Sequence, residues 1–163
     1  MIIRKATPAD LNTVLRIYDE ALSFMRSTGN PNQWGHTNPP ASKTYDDINT
    51  GRLHVVCEED KILGVFFFEI ANDPTYAVIY GGNWLNDLPY GVIHRIAVSS
   101  EARGKGVAGF CFEYAFGKCK NLKIDTHKDN KPMQRSLEKN GFVKCGIIHL
   151  ANGDERIAFQ KTE

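Results

Sequence analysis

Residues 93–108, which read IHRIAVSSEARGKGVA, constrain the fold more tightly than any other part of this chain. The run opens apolar and partly β-branched, with Ile93, Ile96 and Val98, as a strand does. It turns polar over 99–103, reaches Gly104 and Gly106, and then reads as a helix over 107–118 with Val107, Phe110, Cys111 and Tyr114 on one stripe. Glycines just ahead of a helix let the backbone approach a ligand closely, and they precede N–H groups that have no intrahelical partner. Those amides, the helix dipole and the charges of Arg103 and Lys105 together make a site for a diphosphate.

Two motifs use such a corner. Residues 104–109 spell G-x-G-x-x-G, and Asp125 follows at about the distance of a ribose-binding acid, which would give a nicotinamide-dependent oxidoreductase. In that motif, however, the first glycine sits at the end of the strand, whereas here the polar residues 99–103 intervene. Too little chain also follows for a second mononucleotide-binding half. The alternative is Arg103-x-x-Gly106-x-Ala108, followed by LKIDTHKDN over 122–130 and then Met133, Leu137, Gly141 and Phe142. In this order and spacing the two blocks resemble the acetyl-CoA signature of the GNAT superfamily of N-acetyltransferases, together with that family's next strand, asparagine-capped helix and Gly-Phe strand opening. The resemblance is good over 90–159 and holds in outline before that.

The resemblance implies an acetyl-CoA-dependent N-acetyltransferase, with acetyl-CoA as co-substrate and no metal. It implies that Arg103, Gly104, Lys105, Gly106, Val107 and Ala108 hold the diphosphate. Ile96, Ala97 and Val98 would lie along the thioester arm, with one of their backbone N–H groups facing the developing oxyanion. Asn130 would cap its helix and touch the pantetheine arm. The same resemblance is compatible with a non-catalytic acyl-CoA sensor, because the helix position at which many members place a tyrosine, as general acid for the leaving sulfur, holds Leu137. A homodimer is common among such proteins.

Composition sets the outer bounds. At 163 residues one domain is the expectation, over 1–163. A formal net charge of +1 argues against a general nucleic-acid or membrane-surface partner, and no apolar run reaches spanning length. The residues 1–5 do not read as a secretory signal. Cys57, Cys111, Cys119 and Cys145 lack C-x-x-C spacing and fall in apolar segments, as reduced buried thiols of a cytoplasmic protein would.

The remaining elements follow from local pattern. Residues 1–6 read as a strand. Thr7 caps a helix with Pro8 at its first position, and Leu11, Val14, Leu15 and Tyr18 face the sheet as far as about residue 21, with another turn or two through 25. A Gly-, Pro- and Asn-rich loop over 27–42 is long enough to be functional, and 45–49 reads as a short helix. Strands are expected at 53–58, 62–70, 90–98 and 122–126, and Asn130 caps a further helix ending before Gly141. Residues 71–88 read as a loop with a turn of helix. Strands 142–150 and 155–160 form a hairpin about Asn152-Gly153. The order β-α-α-β-β-β-α-β-α-β-β describes an α/β fold, with a mixed α+β-type sheet. Its fourth and fifth strands run parallel at the centre, the architecture of the GNAT acyl-CoA N-acyltransferases.

A primary amine must lose a proton before it attacks a thioester; with a lysine-like pKa near 10.4, that deprotonation costs about 4.6 kcal/mol at pH 7. His94 is the candidate base. Strand alternation places Tyr90, Val92, His94, Ile96 and Val98 on one face and Arg95, read as a salt-bridge partner, on the other. Some arylalkylamine acetyltransferases carry a histidine at the matching position. The competing reading is a histidine packed in the sheet layer. A thiol of pKa near 8.5 leaves tolerably well without an acid, which softens the loss implied by Leu137. Trp34, Trp84 and Tyr90, with Tyr76 and Tyr80, are candidates for an acceptor-binding wall, against ordinary core filling by aromatics. No acidic cluster names the acceptor.

Overall fold

A computed structural model describes residues 1–35 and 39–163; residues 36–38 of the expected long loop lie outside it. The elements are β1 (Ile2–Lys5), α1 (Leu11–Ser27), α2 (Ala41–Asn49), β2 (Leu53–Glu58), β3 (Lys61–Ile70), β4 (Gly91–Val98), α3 (Val107–Cys119), β5 (Asn121–Thr126), α4 (Lys131–Lys139), β6 (Val143–His149) and β7 (Glu155–Thr162). Short 3₁₀ turns occupy Pro8–Asp10, Pro74–Tyr76 and Ser100–Ala102. The strands form one seven-stranded sheet in the order β1-β2-β3-β4-β5-β7-β6. Every neighbouring pair is antiparallel except β4–β5, as the strand–helix–strand connection requires.

Two apolar layers sandwich the sheet. On one face Val14, Ile17 and Tyr18 of α1 meet Val55, Val65, Phe67 and Val92. On the other, Cys111, Phe112 and Ala115 of α3 and Leu137 of α4 meet Val56, Phe66, Ile93, Leu122 and Phe159. Cys57, Cys111 and Cys145 are buried, and all four cysteines are free thiols. Among the described residues no helix is long and apolar enough to cross a membrane.

The first helix is longer than its sequence pattern announces. The chain enters through a 3₁₀ turn and then runs unbroken to Ser27, because Ala21 and Met25 continue the buried stripe of Val14, Ile17 and Tyr18. The second helix also begins earlier than residue 45, at Ala41 directly after Pro40. Asp10 anchors the start of α1: its carboxylate accepts Thr7 N–H at 2.7 Å and takes both Nη groups of Arg4, at 2.7 and 3.0 Å. The Arg4 hydrogen bond, opposed by burial and aided by Thr7, holds the Asp10 carboxyl at about 2 instead of 3.8. A folded-state value below the unfolded one gives stability that is complete above the unfolded value and disappears as pH falls through the folded value. Asp10→Asn is therefore expected to lower the urea midpoint at pH 7, corresponding to about 1–2 kcal/mol. The gap from the parent protein should close between pH 4 and pH 2, and a constant gap would count against this assignment.

The decisive irregularity is in β4. Phe67 pairs with His94 and Val65 with Ala97, so Phe66 alone faces both Arg95 and Ile96. Arg95 takes φ 48°, and the extra residue forms a β-bulge. The bulge reverses the alternation expected from sequence. Tyr90, Val92 and His94 do share the α1–α2 face, but Ile96 and Val98 pack on the α3 face. Arg95, expected opposite His94, lies on the same side: its guanidinium sits 4.9 Å above Phe67 and donates to Asp47 of α2 at 2.6 Å. A second consequence lies along the other edge of β4. Among the described residues its parallel ladder with β5 holds only Gly91↔Leu122 and Val92↔Lys123. Beyond Val92 the two strands part, and β5 stays with β7 through Ile124↔Phe159, Asp125↔Ala158 and Thr126↔Ile157. A wedge thus opens at the carboxyl ends of two adjacent parallel strands, where open α/β sheets bind ligands.

Candidate active site

The wedge divides two cavities. The larger, about 590 Å³, runs from β4 to the start of α3 and is lined by Ile96, Ala97, Val98, Arg103, Gly104, Gly106, Val107 and Ala108, with Asn130, Met133 and Ser136 of the α4 region opposite. Its floor is the helix N-terminus. The first intrahelical bond of α3 runs from Phe110 N–H to Gly106 O, so the amides of Val107, Ala108 and Gly109 precede it. Gly104 and Gly106 take φ 78° and 77°, a backbone region open to glycine, and a Cβ built on either would meet nothing within 4 Å. The space in front of these glycines is therefore open, with backbone donors and a positive helix end facing it. Arg103 stands at the rim, 4.2 Å over the ring of Phe24 and bonded to Glu20 O at 3.2 Å. Lys105 does not line the cavity. These residues fit a coenzyme diphosphate.

The smaller cavity, about 290 Å³, opens on the α1–α2 face and touches the larger one at Met25, Ile96, Asn130 and Met133. His94 lines it, and its Nε2 lies 2.7 Å from Asp73 Oδ2. Asp73 is held from every side: its N–H donates to the Tyr90 hydroxyl at 2.9 Å, and its other oxygen accepts Thr75 N–H at 2.9 Å and Thr75 Oγ1 at 2.7 Å. Burial pushes the Asp73 carboxyl up, but the bonds from His94 and Thr75 outweigh it and hold the group at about 2. Beside it Tyr76 Oη donates to Asp125 Oδ2 at 2.6 Å. Burial raises Asp125 above the ordinary carboxyl range, against the pull of that bond. Gln33 ties the loop after α1 to this wall, its Oε1 accepting Asn130 Nδ2 at 2.8 Å. Asn130 Oδ1 in turn accepts Met133 N–H at 3.1 Å, the expected helix cap.

The family model for the acetyltransferase (GNAT) family matches residues 14–142. The chain belongs to the GNAT acetyltransferase family. Its class of activity is acetyl-CoA-dependent N-acetyl transfer. Among solved structures, a GNAT-family acetyltransferase from Streptococcus agalactiae is 31% identical over 99% of this chain and 95% of its own, with a TM-score of 0.90. A ribosomal-protein-alanine N-acetyltransferase from Brucella melitensis is 17% identical over 100% of both chains, TM-score 0.67. A chain of the NatC complex bound to Gag peptide and CoA is 14% identical over 99% of this chain and 98% of its own, TM-score 0.60. At these identities the last two speak to the fold alone. No curated protein matches the chain.

The GNAT frame accounts for the G-x-G-x-x-G coincidence. The turn Ser100–Ala102 separates strand from glycines, and Gly109 serves packing, since a Cβ there would meet Asn140 Oδ1 at 2.9 Å. The aromatic candidates divide. Trp34 lines the smaller cavity, its ring 5.6 Å from that of Tyr18. Trp84 and Tyr90 do not line it; they cover Lys123, whose Nζ lies 4.3 and 4.0 Å from their rings, beside an outer groove. Tyr90 still bears on the site through its bond to Asp73. Tyr80 is half-exposed and meets His149 edge-on. His127 lines neither cavity and accepts Asp129 N–H through Nδ1. Leu137 is fully buried in the α3-side core, whereas Ser136, one position earlier, lines the larger cavity. Asp73, Asp125 and Arg156 were not singled out for this cavity by pattern. Asp73-Pro74 reads as a turn, and Asp125 and Arg156 are ordinary alternating residues of strands that become neighbours only through β5–β7 pairing.

Proposed function

We propose that this chain moves an acetyl group directly from acetyl-CoA to a primary amine, with both bound at once and His94 as general base. What carries the reading is the meeting of the two cavities at Ile96, Asn130 and Met133, the point where β4 and β5 part. When bound, acetyl-CoA supplies a thioester whose C–S bond breaks as the amide N–C bond forms, the electron pair leaving on sulfur. Gly104, Gly106 and the first amides of α3 hold the diphosphate, with Arg103 at the rim and Lys105 outside the lining. One backbone N–H among Ile96, Ala97 and Val98, beyond the end of the parallel ladder, faces growing carbonyl charge.

Asp73 remains a carboxylate at working pH, so the His94 proton sits on Nε2 and the lone pair on Nδ1. Nδ1 takes the amine proton. Removing that proton in place offsets the roughly 4.6 kcal/mol that free deprotonation would cost at pH 7. Leu137 has no proton to give, and a thiol of pKa near 8.5 leaves tolerably well without one. None of the four cysteines lines either cavity, which supports direct transfer over an acetyl-enzyme route. Thiol-release kinetics with both substrates varied should give intersecting double-reciprocal lines for an amine acceptor. Parallel lines, together with an acetylated protein in the mass spectrum, would replace direct transfer with a two-step route.

A further inference from the structure

Arg156 is the buried cation of the smaller cavity that the reaction above does not use. It is 5% exposed and lines that cavity. Its Nη1 donates to Glu155 O at 2.8 Å and its Nη2 to Gln33 O at 2.9 Å, and it makes no ion pair among the described residues. Two carbonyl dipoles hold the guanidinium in place, and it feels the charge of Asp125 without a direct ion pair to it. A guanidinium taken out of water is unfavourable unless an anion meets it, and its planar fork matches a carboxylate. The nearby acids are committed elsewhere. Asp125, a diagonal neighbour across the Asp125↔Ala158 pairing, takes the Tyr76 hydroxyl, and Asp73 takes His94. The cavity's other arginine, Arg95, is neutralised by Asp47 at 2.6 Å.

A second unpartnered polar group lines the cavity from the α3 side of the sheet, since Thr126 pairs with Ile157 and alternates with Ile124. Thr126 is fully buried and lines the same cavity, and its Oγ1 has no hydrogen-bond partner. The sheet order therefore lays the polar groups out in sequence: His94 and Asp73 on the β4 side, then Asp125 and Thr126 on β5, then Arg156 on β7. The β4 end offers a base with its carboxylate, and the β7 end offers a cation. A zwitterion spans such a site, and about 290 Å³ suits one the size of an amino acid.

Building on the acetyl-transfer reading, we propose that the acceptor is a free amino acid or an amine of similar size carrying a carboxylate, which Arg156 holds while its amine faces His94. The test uses the intact protein, acetyl-CoA and matched acceptors: amino acids, each beside its carboxamide. The amide's amine is the less basic and chemically the easier to acetylate, so a preference for the acid must come from the protein. The expected kcat/KM ratio of acid to amide is roughly ten- to a hundredfold, the range of a charge-assisted hydrogen bond. Arg156→Met should bring that ratio close to one, and Arg156→Lys should restore part of it. Should Arg156→Met fail to fold, the parent protein's own ratio decides, supported by stronger thermal protection from the acid than from the amide at saturating CoA. A parent protein that acetylates both equally overturns the carboxylate assignment while leaving acetyl transfer standing. Absence of thiol release with every amine overturns acetyl transfer itself, and the carboxylate assignment with it.

Discussion

Gly106→Val should raise KM for acetyl-CoA roughly a hundredfold, the equivalent of about 2.7 kcal/mol. Two effects act together. At φ 77° a residue with a Cβ is strained by about 1–2 kcal/mol, and a β-branched one more. The added methyl groups also enter the open space in front of the first α3 amides, where a Cβ now meets nothing within 4 Å. Strain alone would loosen the protein without choosing a substrate, so a control is needed. Gly81 has φ 66° and an equally open Cβ position but lines neither cavity. Gly81→Val should lower the melting temperature comparably and leave KM for acetyl-CoA within about threefold, a margin under 1 kcal/mol. Equal KM increases in the two variants would show that the glycine corner does not hold the coenzyme.

The geometry of that corner was legible because it is local. Arg103, Gly104 and Gly106 fall within four residues of sequence at one helix terminus, so spacing alone reports the geometry. Asn130 was legible for the same reason: a cap acts on its own first turn. The acceptor side was not. Its wall joins Gln33, Asp73, Asp125 and Arg156, which meet only after β4 parts from β5 and β5 pairs with β7. No pattern of period two announces the bulge at Arg95, because a bulge is the place where that period fails. It moved Ile96 and Val98 to the α3 face and left Arg95 beside His94. Trp84 illustrates a different limit. Its place in an irregular segment marked it as a candidate for the acceptor wall, but its Nε1 donates to Tyr76 O at 2.9 Å and its ring covers Lys123 on an outer surface. An aromatic residue in a loop gives no direction to its own ring.

The His94–Asp73 pair makes the other large prediction, since the two residues should fail in different ways. His94→Ala removes the group that takes the amine proton, and kcat/KM should fall about a hundred- to ten-thousandfold, the usual range for general base catalysis. Asp73→Asn leaves the imidazole present but no longer fixed. The asparagine amide can offer Nε2 either an acceptor or a donor, so the lone pair is not reserved for Nδ1, and a smaller loss is expected, about tenfold to a hundredfold. Because hydrogen bonds hold Asp73 at about 2, the carboxylate is charged over the whole working range and contributes no limb of its own to the pH–rate profile near neutrality. Burial raises Asp125 in the same wall, so a limb it imposes would persist without His94, whereas a limb belonging to the group that receives the proton would not. His94→Ala should therefore flatten the profile on its acid side, with KM for acetyl-CoA little changed because His94 does not line the larger cavity. Tyr90→Phe offers an independent probe of the same wall: it removes the hydroxyl that accepts Asp73 N–H at 2.9 Å while leaving the ring over Lys123, so its defect should resemble that of Asp73→Asn and not that of an emptied core. If His94→Ala keeps the parent profile shape at reduced height, the imidazole is a packing element of the sheet and another group takes the proton.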